Sequence, residues 1–270
     1  MQKPIKTMRT VLLMCVCCLF VFVRASGQSV SQAPDSPQLK TASSHPIQYY
    51  LSLPEGWTAG KKWPVVVVIE SADREFLEAA KAFAQARQHR PFIVVTPLVV
   101  TNGGSGFRNV PTYHYSDVVW TMIQDSGQFN FDVEGINAIM QDVVKEYGGD
   151  EHYFLTGFEA GGHTVWGILF NHPDDTRAVA LVCPNYLGRW VDEQHLSTTS
   201  RADLPIKNFI GTKDELCSAG NPIYMQMQRA MNLASAHGYT NVSLTRVVGK
   251  GHVRLADEVL DYFSSLIPRK

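Results

Sequence analysis

Three side chains of this sequence could carry chemistry together: Glu159, Asp214 and His252. The first lies in Tyr153-Phe154-Leu155-Thr156-Gly157-Phe158-Glu159-Ala160-Gly161-Gly162-His163. A β-prone apolar run there meets Gly157, turns, and passes through two more glycines into an apolar helical segment. This is the layout of a G-x-S-x-G turn, which presents one side chain at the end of a strand. Small residues are required because strand and helix backbones come close at so sharp a turn. The presented position holds Glu159 where the pattern has serine. Asp214 closes the turn Gly211-Thr212-Lys213-Asp214, and His252 follows Gly251. With a hydroxyl at position 159, the three would be a nucleophile, an acid and a base. A carboxylate is already ionised at neutral pH and has no proton to surrender. Beside His252 it is expected to form an ion pair and to hold the imidazole protonated. A serine-type mechanism through Glu159 is excluded on those grounds.

The elements that must position these residues alternate between strand and helix. Ile47 to Leu53 reads as a first strand. Val65 to Ile69 is a continuous β-branched run, the signature of a parallel strand covered on both faces. A helix is predicted over Phe76–Gln88, a strand over Phe92–Thr96 and an amphipathic helix over Phe131–Tyr147. His152–Thr156 feeds the glycine turn and Ala160–Phe170 leaves it. Strands then fall at Ala178–Val182, Ile206–Ile210 and Val242–Val248, with helices over Ile223–His237 and Val253–Leu266. Pro97 to Asn130 reads as one long irregular connection. It carries Gly103, Gly104 and Gly106 and the aromatic cluster Tyr113, Tyr115 and Trp120, and suits a binding loop or an aromatic plug. Such alternation predicts an α/β fold with a mostly parallel, doubly wound sheet and helices on both faces. Chemistry in such sheets collects at the carboxyl ends of the strands.

The chain order Glu159, Asp214, His252, with the Trp63-Pro64 lead into the first parallel strand and the three glycine turns, resembles the α/β-hydrolase superfamily. The nearest branch is that of secreted esterases and polyhydroxybutyrate-depolymerase-like enzymes. The resemblance covers about residue 47 to the C-terminus. It implies an α/β-hydrolase fold in which His252 is a general base and Asp214 orients it. It also implies a carboxylic ester substrate class, with a small-molecule or polymeric ester-like ligand.

Two departures bear on activity. The nucleophile is replaced, and the end of the Val65–Ile69 strand carries Glu70-Ser71-Ala72-Asp73 where the family commonly has His-Gly. The oxyanion donors are then expected from Ala160 and Ser71, with Glu70 among the pocket residues beside Tyr113, Tyr115 and Trp120. Two carboxylates, Glu70 and Glu159, would oppose a developing oxyanion. Three readings follow: an esterase-like protein that has lost serine catalysis and binds a ligand, an active hydrolase using Glu159 as a carboxylate nucleophile or in another new role, or a structural domain. Glu70 and Glu159 as an acid–base pair on a glycoside is a weaker reading. Ser71 or Ser105 as a replacement nucleophile lacks the turn geometry.

No cofactor is expected and no metal site. Glu159 and His163 stand four apart on one helix, a spacing that can bind metal, but a helix-packing histidine is the plainer reading. Cys183 and Cys217 follow neighbouring strands and form a candidate disulfide. Asn241-Val242-Ser243 matches a glycosylation acceptor but runs into a predicted strand.

The chain has 270 residues, 45% hydrophobic and 18% charged, which suits one large globular domain. Its net charge of −1 argues against nucleic acid as a partner. Lys3, Lys6 and Arg9 precede the apolar run Thr10–Val23, which is shorter than a membrane span. Ala25-Ser26-Gly27 supplies small residues, so 1–27 reads as a signal peptide and 28–44 as a flexible leader before a domain over 45–270. Cleavage after Gly27 removes four positive charges and no acid, taking the net charge from −1 to −5. The mature protein is expected to be secreted or periplasmic, without a stable membrane span.

Overall fold

The computed structural model describes residues 36–102 and 112–268. The proposed signal peptide, and Gly103, Gly104, Ser105 and Gly106, lie outside the described residues. Eight strands form one sheet: β1 (Gln38–Thr41), β2 (Gln48–Ser52), β3 (Val65–Ile69), β4 (Ile93–Pro97), β5 (Tyr153–Phe158), β6 (Thr176–Val182), β7 (Ile206–Gly211) and β8 (Val242–Val247). Their spatial order is β1-β2-β4-β3-β5-β6-β7-β8. The pairs β1–β2 and β2–β4 are antiparallel, and every pair from β4 to β8 is parallel.

The sequence of β3 explains its central place. All five residues, Val-Val-Val-Val-Ile, are buried. Val65, Val67 and Ile69 join the core on one face of the sheet, and Val66 and Val68 join the core on the other. This is the two-residue side-chain period of a strand with both faces covered. Helices α1 (Phe76–Arg87) and α6 (Ala256–Ser265) pack on the second face through Phe83, Val259 and Phe263. Helices α3 (Gln128–Tyr147), α4 (Gly161–Asn171) and α5 (Pro222–Ala236) cover the first through Ile139, Trp166 and Ala230.

Two expectations are corrected here. The stretch 28–44 is not all leader, because Gln38–Thr41 forms β1 and pairs with Gln48–Leu51. The loop behind β1 is fastened by Asp142 on α3, which accepts hydrogen bonds from Ser43 N (2.7 Å) and Ser43 Oγ (2.5 Å). The connection 97–130 is likewise not wholly irregular. It contains α2 (Asp117–Ser126), capped by the Ser116 hydroxyl, which accepts from Val119 N. No helix among the described residues is long and apolar enough to cross a membrane.

Candidate functional site

The site is built at the carboxyl ends of β3, β5, β7 and β8. Glu159 follows β5 directly and takes a left-handed backbone, φ 48°, a conformation unusual for a residue with a Cβ. Its backbone is held from several sides: Glu159 N donates to Val182 O (3.0 Å), and Glu159 O accepts from Gly162 N and Asn185 N (both 2.9 Å). Gly161 permits this turn. A Cβ there would lie 2.5 Å from Ile69 O and 2.7 Å from Glu70 O, so α4 can begin against β3 only with glycine at that position. Gly162 meets Pro184 in the same way, at 2.5 Å. The turn is therefore the strained, glycine-lined elbow that the sequence predicts.

The Glu159 carboxylate does not pair with His252, which corrects the expected ion pair. Its Oε2 accepts a hydrogen bond from the backbone N–H of Ala72, at 3.2 Å. That N–H lies in the loop after β3, where a hydrolase of this fold would offer an oxyanion donor. Ser71, the donor expected from the sequence, is held through its hydroxyl and its carbonyl. Its hydroxyl donates to Glu70 Oε1 (3.0 Å) and accepts from Asp73 N (3.3 Å), while its carbonyl accepts from Asn102 Nδ2 (2.8 Å). Ala160, the other expected donor, is the N-cap residue of α4.

His252 and Asp214 meet as expected. His252 Nδ1 lies 3.0 Å from Asp214 Oδ2. Asp214 is buried, and its Oδ1 accepts from Leu216 N and Cys217 N, both at 3.0 Å. The carboxylate is thus fixed by its own loop before it touches the imidazole. The Phe158 ring packs on the imidazole with centroids 4.9 Å apart. A positioned acid and histidine are present, with Nε2 as the nitrogen not engaged by Asp214.

Glu70 is fully buried and belongs to an ion pair that the sequence reading missed. Arg254 donates Nε to Glu70 Oε2 (2.9 Å) and Nη2 to Glu70 Oε1 (2.5 Å), and reaches Glu75 at 3.0 Å. Glu70, first among those partners, holds the guanidinium firmly in its charged form. Glu70 is therefore neither a free pocket carboxylate nor half of a glycosidase pair. Its charge is compensated, and the pair ties the loop after β3 to the loop carrying His252. The basic residue two positions after His252 was the available signal.

The aromatic pocket candidates are core. Tyr113 and Trp120 are buried, and Tyr113 stacks on Tyr115 at 5.8 Å. Tyr113 OH donates to Val99 O (2.6 Å), and Tyr115 packs against Phe131. Among the described residues they form one aromatic cluster in the core with Phe131. His163 is buried, and burial followed by the charge of Arg189 pushes its pKa down to about 4. It is a neutral packing histidine. Cys183 and Cys217 are both buried free thiols, not a disulfide. Its interaction with Cys217, then burial, pushes the Cys183 thiol far above its ordinary range.

A cleft of about 640 Å³ opens beside His252, lined in part by Asp73, Phe158, Lys250, Arg254 and Glu258. No family model matches the chain, and no curated protein sequence does. Solved structures do resemble it. The poly(aspartic acid) hydrolase-1 of Sphingomonas sp. KT-1 superposes with a TM-score of 0.58 at 14% identity, over 86% of this chain and 97% of that one. A ferulic acid esterase of the anaerobic fungus Anaeromyces mucronatus gives 0.55 at 18% identity, over 84% and 88%. A poly(3-hydroxybutyrate) depolymerase of Bordetella parapertussis gives 0.53 at 17% identity, over 82% and 83%. With the strand order above, these likenesses show that the chain has the α/β-hydrolase fold.

Proposed function

We propose that this is an exported protein of α/β-hydrolase fold that has lost serine-type ester hydrolysis and uses the cleft beside His252 to bind an ester-like small molecule or polymer end. The observation that carries this reading is the hydrogen bond from Ala72 N–H to Glu159. An ester carbonyl needs that donor as its oxygen becomes negative. Here the donor is already satisfied by a fixed negative charge, and no hydroxyl stands at the elbow. The cleft beside His252 supports ligand binding, since its volume falls in the range of small-molecule sites. Export rests on the signal-like residues 1–27.

The test compares wild type with Glu159→Ser on short acyl p-nitrophenyl esters. Wild type is expected at the buffer rate, and Glu159→Ser above it. Wild-type turnover that disappears in His252→Ala would overturn the reading.

One observation favours a second reading. Oε2 of Glu159 is held by a backbone N–H, and Oε1 makes no hydrogen bond among the described residues. A carboxylate nucleophile needs that arrangement. Oε1 would attack a saturated carbon and expel its leaving group, forming an ester. His252 would then take a proton from water, and the resulting hydroxide would attack the ester carbonyl while Ala72 N–H received the oxyanion. The alcohol would leave and Glu159 would be restored. Single turnover in ¹⁸O-water over a panel of haloalkanes and epoxides decides this: label in the Glu159 peptide supports it, and unlabelled peptide with product formed excludes it.

A further inference from the structure

The N–H that meets Glu159 belongs to a peptide unit that is held from behind. The carbonyl of Ser71 and the N–H of Ala72 are two ends of one planar trans peptide, so they point in opposite directions and fixing one aims the other. The Ser71 carbonyl accepts from Asn102 Nδ2 at 2.8 Å, and the Glu70 carbonyl accepts from the same nitrogen at 3.1 Å. At the other end of that peptide, Ala72 N–H reaches Glu159 Oε2. The Ser71 carbonyl also accepts from Arg74 N (3.2 Å), but that bond closes the loop on itself and moves with it. Asn102 reaches the peptide from a different segment, the connection after β4.

Asn102 is itself firmly placed. Val100 N and Thr101 N donate to Asp132 Oδ2 on α3, both at 2.9 Å, and Thr101 Oγ1 donates to the same oxygen at 2.6 Å. With its proton given to Asp132, Thr101 Oγ1 accepts from Thr164 Oγ1, also at 2.6 Å. Thr164 lies on α4, the helix that leaves the elbow. Asn102, Thr101, Thr164 and Asp132 are all fully buried. A buried network of this kind is rigid. It joins the two elements whose mutual placement sets the reach from Ala72 N–H to residue 159.

We propose that Asn102 is a positioning residue of this site, aiming Ala72 N–H at the side chain or substrate oxygen that stands before the elbow. One amide nitrogen with two protons serves two successive carbonyls. The isosteric aspartate cannot do this, since it would set a further oxygen against them. Donation to the carbonyl end also polarises the peptide and strengthens its N–H as a donor. This role rests on the Ala72–Glu159 contact that carries the proposed function, and names what sets that contact.

The experiment reads the Ala72 amide proton by NMR in protein labelled with ¹⁵N-alanine. Removing the acceptor with Glu159→Ala should move that resonance upfield. In Asn102→Asp the resonance should already lie upfield, and adding Glu159→Ala should move it much less. A second readout uses the Glu159→Ser background, where Asn102→Asp should lower kcat on short acyl esters about 10²-fold, as loss of an oxyanion donor does, with KM little changed. No movement of the resonance in Glu159→Ala alone would remove the contact behind the proposed function, and the kcat readout would then test Asn102 by itself. If the serine background shows no turnover, the resonance decides. If Asn102→Asp does not fold, Asn102→Ala removes the same donors without adding a charge and is read in the same way. A response of Ala72 to Glu159→Ala that is as large in the Asn102 variant as without it overturns the proposal. So does a lowered Tm with kcat unchanged in the serine background.

Discussion

The elbow end of the site and the histidine end differ in the chemistry their side chains offer. At the histidine end, Asp214 and His252 keep the contact a hydrolase needs, at 3.0 Å, on a carboxylate pinned by two backbone donors. At the elbow end the backbone is equally well formed, yet the side chain it presents is a carboxylate that accepts a hydrogen bond from Ala72 N–H. Geometry and chemistry are thus separable here. Backbone contacts around Gly161 and Gly162 set where residue 159 sits, and the identity of that residue alone sets what it can do.

Four experiments break or sharpen that contrast. The largest effect is expected in the Glu159→Ser background, where adding His252→Ala should lower ester turnover roughly 10²- to 10⁴-fold, the usual worth of a general base. Equal rates in the two variants would show that the histidine end is preserved in form only.

Next is Arg254→Met, which leaves Glu70 as an unpaired buried charge. A loss of about 3–5 kcal/mol is expected in urea unfolding. Adding Glu70→Gln should recover most of it, because the cost lies in the orphaned charge.

The third concerns pH. His163 has a folded pKa pushed down to about 4, below its unfolded value of about 6.5. The unfolded chain therefore takes up the proton first as pH falls. The contribution of His163 is complete above about pH 6.5 and is lost as pH falls toward 4, by up to roughly 3 kcal/mol. The difference in unfolding free energy between wild type and His163→Gln should narrow over that interval. A constant difference would place the ionised imidazole in contact with solvent or an acid.

The smallest is Asp214→Asn. The amide oxygen can still accept from Leu216 and Cys217, so a stability loss of about 1 kcal/mol is expected. The same change in the Glu159→Ser background should cost far more in turnover, since the imidazole loses its charged partner. That split separates positioning from folding.

Much of the frame was legible because local chemistry enforces it. The Val65–Ile69 run can hardly be anything but a covered strand, and the glycines of 157–162 admit few turns. The order of Glu159, Asp214 and His252 marks three strand ends in the sequence itself. What escaped depends on distant partners or on single torsions. Glu70 and Arg254 are 184 positions apart, and nothing local pairs them. Whether Ala72 or Ser71 offers its N–H is a matter of one residue in a turn. The direction of the Glu159 side chain is a rotamer choice, and the expected pairing with His252 lost to a backbone donor on the opposite loop. Gln38–Thr41 carries no apolar alternation because an edge strand has only one neighbour to satisfy, and its sequence is that of a polar leader. Trp120 and Tyr113 suggested a pocket because large aromatics serve cores and ligands alike.

The close approach of Gly161 to the carbonyls of Ile69 and Glu70 has a practical corollary. With α4 clamped there, the socket at 159 is independent of what fills it. Cysteine, aspartate or a non-natural side chain could be installed in turn and would be delivered to the same point in space. The protein is in that sense a ready-made holder in which competing nucleophiles can be ranked without rebuilding anything around them.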